Sequence, residues 1–211
     1  MSAGPFAGLD EGALQKLAPG GMVRAYARNV VVLSQGDATD SLYVVLSGKV
    51  KAFVSDENGK EVIVNTIGAG DYFGELVLDG GARSASIMTL EPAQFFVIPQ
   101  RDVEALLATN PEFARNLMRQ LIGKVRSLTA RVLDLALKDV YGRLVKYLEE
   151  SAVEQGGRRL VPDRLTQSDI AARIGGSREM VSRILRDLAT GGYISVEAKH
   201  IILHRKLPAH W

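Results

Sequence analysis

The segment from Leu165 to Leu188 constrains the fold of this chain more than any other part of the sequence. It reads LTQSDIAARIGGSREMVSRILRDL and predicts two short helices separated by a tight turn. Thr166 can cap the first helix, with Asp169 three residues on as its capping-box partner. Gly175-Gly176 interrupts the helical pattern, and Ser177 can cap the second helix. Two helices joined in this way form a helix-turn-helix.

The second helix of this pair has one apolar and one polar face. Four apolar residues recur at helical spacing and predict a buried stripe, namely Val181, Ile184, Leu185 and Leu188. The residues expected to face outward are Arg178, Glu179, Ser182, Arg183 and Arg186. A helix-turn-helix places the N-terminal residues of its second helix against the bases in the DNA major groove.

Three of the outward residues have the chemistry needed to read bases. Arginine donates two hydrogen bonds to guanine O6 and N7, and glutamate accepts one from cytosine N4. Arg178, Glu179 and Arg183 are therefore predicted to contact bases, the alternative being that they are solvated surface charges. Ser177, Ser182 and Arg186 are expected to contact phosphates, or nothing.

The chain after this segment predicts a wing. Gly191-Gly192 ends the second helix, and Tyr193–Val196 and His200–Leu203 flank the short segment 197–199 as a small hairpin. A hairpin that follows a helix-turn-helix in this way makes the C-terminal domain a winged helix.

The N-terminal half has a different texture, made of short β-rich runs separated by turn signals. The runs are 30–33, 41–46, 50–54, 61–64, 86–90 and 94–98, and the turns include Gln35-Gly-Asp37, Ser47-Gly48 and Asp56–Gly59. Strands at this spacing predict an antiparallel sandwich or barrel such as a jelly roll.

A long helical pattern begins after Asn110-Pro111. Apolar residues step along it by three and four, in the order Met118, Leu121, Val125, Leu128, Val132 and Leu135, which is an a/d heptad register. We interpret residues of about 111–138 as a dimerisation helix; the alternative is one amphipathic helix packed on the β domain. The next a position is Asp139, which is poorly suited to a dry seam. Lys138-Asp139 is therefore the predicted junction and a candidate hinge.

Composition limits the class of protein. A chain of 211 residues favours two domains, which we place at 1–138 and 139–211. The first carries 14 basic and 15 acidic residues and the second 12 and 9, so the C-terminal domain is the candidate for phosphate contact. No apolar run approaches the roughly 18 residues of a membrane span, and residues 1–6 lack the features of a signal peptide. We expect a cytoplasmic protein without membrane association.

A glycine-rich loop, residues 70–85, offers a second site. Gly74-Glu75-Leu76 could open a short helix whose free amides favour an anion. Arg83 and Ser84 add a guanidinium and a hydroxyl suited to a phosphate. The Glu75 carboxylate could accept a hydrogen bond from a sugar hydroxyl. The alternative is an ordinary hairpin with a surface Glu–Arg pair.

Together these motifs resemble the cyclic AMP receptor protein and fumarate–nitrate regulator (CRP/FNR) superfamily of bacterial transcription regulators. The resemblance covers nearly the whole chain. It rests on Gln35-Gly-Asp37, Leu42–Gly48, Gly70-Asp-Tyr-Phe-Gly-Glu-Leu76, Arg83-Ser-Ala85, Asp139-Val-Tyr-Gly-Arg143 and Ser177-Arg-Glu-Met-Val-Ser-Arg183. It implies an α+β protein with an N-terminal cyclic-nucleotide-binding jelly roll, a long dimerisation helix and a C-terminal winged helix-turn-helix.

The resemblance also implies roles for the matching residues. Glu75 would bind the ribose 2′-hydroxyl, and Arg83, Ser84 and the Gly74 backbone would hold the cyclic phosphate. The full nucleotide set expected is Gly74, Glu75, Leu76, Arg83, Ser84, Leu128 and Thr129. The DNA set is Thr166, Gln167, Ser177, Arg178, Glu179, Ser182 and Arg183, reading a palindrome of TGTGA-like half-sites.

Departures from the family pattern concern the ligand. Cysteine is absent and the three histidines are at 200, 204 and 210, so an iron–sulfur cluster or a heme of the family's known types is not expected, nor is another metal. The Glu75–Arg83 segment is a residue or two shorter than in the cyclic AMP receptor. Where that receptor presents a threonine and a serine near the purine, this chain has Leu128 and Thr129, and Leu128 also occupies a seam position.

The sequence therefore predicts a homodimeric, sequence-specific DNA-binding regulator gated by cyclic AMP, with RNA polymerase as a further candidate partner. Cyclic di-GMP or another ligand, and DNA binding without any nucleotide, are the open alternatives. An enzyme is not expected, because the sequence has no metal-ligand cluster, Gly-x-Ser-x-Gly motif or P-loop. A nucleotide-binding signalling module without DNA binding would leave residues 165–203 unexplained.

Overall fold

The computed structural model describes residue 6 and residues 10–162, 165–197 and 200–208. The chain forms two compact units, Met1–Arg126 and Ser127–Trp211. Among the described residues, no helix has both the length and the apolar character needed to cross a membrane.

The first unit is built around two antiparallel sheets. Its strands are β1 Met22–Tyr26, β2 Val31–Leu33, β3 Ser41–Ser47, β4 Lys49–Ser55, β5 Glu61–Gly68, β6 Tyr72–Phe73, β7 Ser86–Thr89 and β8 Ala93–Pro99. One sheet has the order β1-β8-β3-β6 and the other β2-β7-β4-β5. Strands far apart in sequence thus pair side by side, and the predicted jelly roll is confirmed.

The central strands are apolar on both faces because each face has its own core. In β8, Phe95 and Val97 pack in the cluster between the sheets, whereas Phe96 and Ile98 pack in a cluster with helical residues. A strand covered on both faces reads as a continuous apolar run rather than an alternating one. The sequence missed β1, which has a mostly exposed pattern, and β6, which has only two residues.

Three helices begin in this unit: α1 Glu11–Leu17, α2 Gln100–Thr109 and α3 Pro111–Leu137. Helix α3 continues into the second unit. Phe113 and Leu117 at the start of α3 are buried in the helix-covered core of the first unit, and Leu121 packs against that core. Leu121 therefore serves this core, although the heptad pattern assigned it to a dimer seam. The other five predicted seam residues, Met118, Val125, Leu128, Val132 and Leu135, are 47–65% exposed.

The second unit contains the predicted helix-turn-helix and more sheet than the sequence indicated. Its elements are α4 Val140–Ser151, β9 Val153–Gln155, β10 Arg158–Val161, α5 Gln167–Ile174, α6 Arg178–Thr190, β11 Ile194–Glu197 and β12 His200–Leu203. The predicted wing, β11–β12, is part of a sheet of order β11-β12-β10-β9. Residues 198 and 199 of its predicted turn lie outside the described residues. Gly156 and Gly157, with φ of 59° and 75°, join β9 to β10 as a two-residue hairpin turn.

The helices change at the junction expected from the heptad pattern. Helix α3 ends at Leu137, and Asp139 caps α4 by accepting a hydrogen bond of 2.7 Å from the Gly142 N–H. The domain boundary and hinge at Lys138-Asp139 stay predictions.

Candidate functional sites

The Gly74 backbone is shaped by a close approach from Arg83. Gly74 has a φ of 85° and precedes the short helix that the sequence suggested, which is a 3₁₀ helix, Glu75–Leu78. A Cβ at position 74 would lie 2.8 Å from Arg83 Nη1 and 3.0 Å from the Ser41 carbonyl oxygen. Both the backbone conformation and the lack of space therefore require glycine here.

Arg83 is a buried cation held by backbone carbonyls. It is 4% exposed, and its Nη1 and Nη2 donate to the Gly74 and Ser41 carbonyls, each over 3.0 Å. Asp40 Oδ1 lies 3.6 Å from Nη2. Burial lowers the pKa of Arg83, with Tyr43 and Asp40 opposing the shift, but a guanidinium stays charged in proteins.

One hydrogen-bond donor of the Arg83 guanidinium, its Nε–H, is unpaired among the described residues. The Nε atom is also buried. A buried donor left unpaired costs free energy, about 1–3 kcal/mol, which an incoming oxygen would recover. The cation, the spare donor and the glycine cradle together fit a small anion.

Glu75 is engaged by a residue that the sequence reasoning missed. Lys124 Nζ, on α3, donates to Glu75 Oε1 over 2.9 Å and lies 4.6 Å from the centroid of the Tyr72 ring. The carboxylate predicted to bind ribose therefore also forms an ion pair with the long helix α3. Lys124 flanks the heptad stripe, but no local pattern links it to a residue 49 positions earlier.

The other residues predicted to bind the nucleotide are half-buried or exposed. Leu76 is half-buried and Ser84 exposed within the 70–85 loop, while Leu128 and Thr129 are exposed on α3 in the second unit. The short segment before Arg83 closes as a tight turn, with Asp79 Oδ1 accepting from the Gly81 N–H over 2.8 Å. Purine contacts by Leu128 and Thr129 stay predictions.

The helix-turn-helix has the caps that the sequence predicts. Thr166 and Asp169 form a reciprocal capping box on α5, and Gly175 ends α5 in the left-handed conformation with a φ of 67°. Ser177 Oγ accepts from the Met180 N–H over 3.2 Å at the start of α6. The predicted stripe of Val181, Ile184, Leu185 and Leu188 is buried.

The outward face of α6 is polar and charged. Arg178, Glu179, Arg183 and Arg186 are exposed, and Ser182 is half-buried. The pKa of Glu179 is lowered by hydrogen bonds from its own backbone N–H and from Ser177, and by the charge of Arg178. Glu179 is therefore an ionised acceptor at neutral pH. On α5, Thr166 is exposed and Gln167 half-buried; their DNA contacts stay predictions.

Within the part of the chain that the structure describes, no three His, Cys, Asp or Glu side chains lie close enough to hold a metal ion.

Comparisons with family models match both units. Residues 23–110 match the cyclic nucleotide-binding domain, and residues 142–207 match the Crp-like helix-turn-helix domain. The first match contains Gly74, Glu75 and Arg83, and the second contains α5 and α6.

Relatives match over nearly the whole chain. The CRP-like cAMP-activated global transcriptional regulator of Mycobacterium tuberculosis is 32% identical over 95% of this chain and 92% of its own length. The cAMP-activated global transcriptional regulator CRP of Pasteurella multocida is 30% identical over 86% of this chain and 90% of its own. Among solved structures, the c-di-GMP responsive global regulator CLP of Xanthomonas campestris shares the fold, with a TM-score of 0.81 at 24% identity over 93% of this chain and 100% of that one.

Proposed function

Because this chain belongs to the CRP/FNR family of DNA-binding transcription regulators, we propose that cyclic AMP gates its binding to DNA. The family is one of regulators rather than enzymes. Its cyclic nucleotide-binding domain and helix-turn-helix domain lie in one chain, so ligand and DNA can be linked within each subunit.

The observation that carries the ligand proposal is the Arg83 guanidinium, buried beside Gly74 with its Nε unpaired. A cyclic phosphate supplies an anionic oxygen for that donor, and charge-assisted bonds of this kind are about twice as strong as neutral ones. Glu75 supplies a carboxylate for the ribose 2′-hydroxyl. The names of the relatives from Mycobacterium tuberculosis and Pasteurella multocida, both described as cAMP-activated, favour the same ligand.

Lys124 gives this pocket a direct connection to α3. A nucleotide that hydrogen-bonds to Glu75 also changes the surroundings of the Lys124 ammonium, and hence of the helix that carries it. Gating further requires that the nucleotide bind one conformation of the protein more tightly than the other, since equal affinity shifts nothing.

The proposed DNA-binding species is a cytoplasmic homodimer joined through the exposed apolar residues of α3. Two copies of α6 would then read the half-sites of a palindrome, with Arg178, Glu179 and Arg183 on the bases. Contact with RNA polymerase belongs to the same proposal, although no motif identifies the surface.

The deciding experiment is a calorimetric titration of nucleotide-stripped protein with cyclic AMP. We expect saturable binding of about one nucleotide per subunit, lost in Arg83→Leu because the phosphate loses its cation, and retained in Arg28→Leu, which removes an exposed arginine. Unaltered thermal denaturation and dimer content of the Arg83 variant would separate loss of the pocket from loss of the fold.

Fluorescence anisotropy with a duplex carrying TGTGA-like half-sites then tests gating, with and without cyclic AMP. Tighter DNA binding with the nucleotide supports the proposal. No cyclic AMP binding at several temperatures would contradict it and direct the search to cyclic di-GMP; equal DNA binding in both conditions would indicate a protein that needs no nucleotide.

A further inference from the structure

Met180 is an apolar side chain in α6, the proposed recognition helix, and lies at the edge between its buried stripe and its polar face. It is 36% exposed, whereas the other large apolar residues of α6, Val181, Ile184, Leu185 and Leu188, are at most 8% exposed. The domain core therefore leaves a considerable part of this side chain in water. Burial of that surface in a complex would recover free energy at roughly 25 cal/mol per Å².

The backbone at Met180 is fixed in the first turn of α6. Its N–H donates to Ser177 Oγ over 3.2 Å, so the residue occupies the N3 position of a capped helix. Residues three apart are neighbours on a helix surface, which puts Met180 beside Arg183. Glu179 precedes it directly in the chain. Met180 thus belongs to the same N-terminal end of the helix as the proposed base-reading residues.

The DNA major groove offers one apolar group to such a side chain. Its base edges carry hydrogen-bond donors and acceptors, except for the 5-methyl group of thymine. The anionic phosphate oxygens give a thioether no comparable partner. Methionine is also unbranched and polarisable, so it adapts to the exact position of a methyl group.

We propose that Met180 is a specificity-determining residue that contacts the 5-methyl group of a thymine in each DNA half-site. This inference rests on the proposed DNA-binding function. It adds to the charged contacts of Arg178, Glu179 and Arg183 one contact that is apolar and specific for thymine.

Deoxyuridine provides the test, because it pairs as thymine does and lacks only the methyl group. The probe is a palindromic duplex recovered with the full-length chain from a pool of random duplexes, with and without cyclic AMP. Its thymines are replaced by deoxyuridine one at a time. We expect the wild-type protein to lose about fourfold in affinity at one thymine per half-site, the equivalent of burying one methyl group, and nothing at the others.

Variants assign the loss to the side chain. Met180→Ala should bind the thymine and deoxyuridine duplexes equally well, and Met180→Leu should retain a preference for thymine. Ala189→Ser, an exposed substitution near the other end of α6, should leave the wild-type pattern unchanged.

Two results would overturn the inference. One is a wild-type protein indifferent to every deoxyuridine replacement; the other is a Met180→Ala variant with the same sensitivity as the wild type, which would assign the methyl contact to another residue. A failure of the proposed function looks different, because the wild-type protein would then prefer no selected duplex over a scrambled one.

Discussion

At the scale of single residues, Gly74 and Gly80 have similar backbones but different surroundings. Both have positive φ, 85° and 68°. A Cβ at Gly74 would meet Arg83 and Ser41, whereas a Cβ at Gly80 would meet nothing within 4 Å. This pair separates the cost of the backbone conformation from the cost of filling the pocket.

Gly74→Ala and Gly80→Ala should therefore differ in ligand binding more than in stability. Each substitution strains the left-handed backbone by about 1–2 kcal/mol. Only Gly74→Ala also displaces the Arg83 guanidinium, so we expect cyclic AMP affinity to fall by about tenfold or more in that variant, a loss of about 1.4 kcal/mol. Calorimetry and thermal denaturation of both variants check this; an equal loss of affinity in Gly80→Ala would contradict it.

Arg178 is the residue whose predicted base contact is most directly testable. Replacing it with alanine should cost roughly 1–3 kcal/mol on the cognate duplex and relax specificity at one base pair. Competition assays with single base-pair variants of the site measure this. Equal weakening on all sequences would instead assign Arg178 to a phosphate.

At the scale of elements, α3 serves two partners along its length. Its first turns pack on the core of the first unit through Phe113 and Leu117, while a stripe that continues to Leu135 is exposed. The exposed part fits a helix that buries its apolar stripe against a second copy.

Val132→Asp should prevent dimer formation, and Leu133→Asp should not. Val132 is 65% and Leu133 57% exposed, so neither change should disturb the core of the subunit. Only Val132 occupies a seam position, where a carboxylate would be buried against its symmetry mate at a high desolvation cost. Sedimentation velocity measures the oligomeric state of both variants. A monomeric Leu133→Asp, or a dimeric Val132→Asp, would contradict the assignment of Val132 to the dimer interface.

Asp134 near the end of α3 forms ion pairs with Lys138 and with Lys146 of α4. Asp134 Oδ1 accepts from Lys138 Nζ over 2.9 Å, and its Oδ2 bonds to Lys146. Hydrogen bonds from Lys146 and Lys138 lower the pKa of Asp134. The same bond to Asp134 raises the pKa of Lys146.

The stabilisation from Asp134 should depend on pH in a defined direction. Because its pKa is lowered in the folded state, the contribution is present above its ordinary value of 3.8 and is lost as the pH falls through the folded-state value. Asp134→Asn should destabilise the protein by about 0.5–1 kcal/mol at pH 7, the scale of partly exposed ion pairs. Urea denaturation at pH 7 and at about pH 3 should show the gap to wild type closing in acid. A gap of the same size at both values would assign the effect to packing.

At the scale of the whole molecule, the proposed ligand and DNA sites lie in separate compact units of the same chain. Lys124 connects the Glu75 carboxylate to α3, and α3 ends two residues before Asp139 caps α4. A proposed dimer brings two helix-turn-helix units to one duplex.

The distance between half-sites should therefore control affinity. Recognition helices of a dimer bind half-sites about one helical turn, or 34–36 Å, apart. Insertion of about five base pairs turns one half-site to the opposite face of the duplex and should reduce affinity to that of a single half-site, whereas insertion of about ten restores the facing. Anisotropy with the three duplexes measures this. Affinity that is indifferent to spacing would mean that each subunit binds alone.

Local signals in the sequence were sufficient for most of the architecture. The capping box at Thr166, the end of α5 at Gly175 and the cap at Ser177 each depend on residues within a few positions, and all three were predicted. Strand runs and helical stripes are likewise periodic and short-range, so the jelly roll and the buried face of α6 could be predicted as well. The Gly74–Arg83 motif indicated where an anion would bind.

Only the tertiary structure decided which distant groups meet. Lys124 pairs with Glu75, Arg83 donates to the Ser41 carbonyl, Leu121 packs on the core of the first unit, and the wing extends into a sheet with β9 and β10. In the Lys124–Glu75 and Arg83–Ser41 contacts, the partners are separated by more than 40 residues of the chain. Their meeting depends on strand order and helix direction, which no local pattern encodes. The sequence by itself therefore determined the elements and the kinds of chemistry, and the tertiary structure determined their partners.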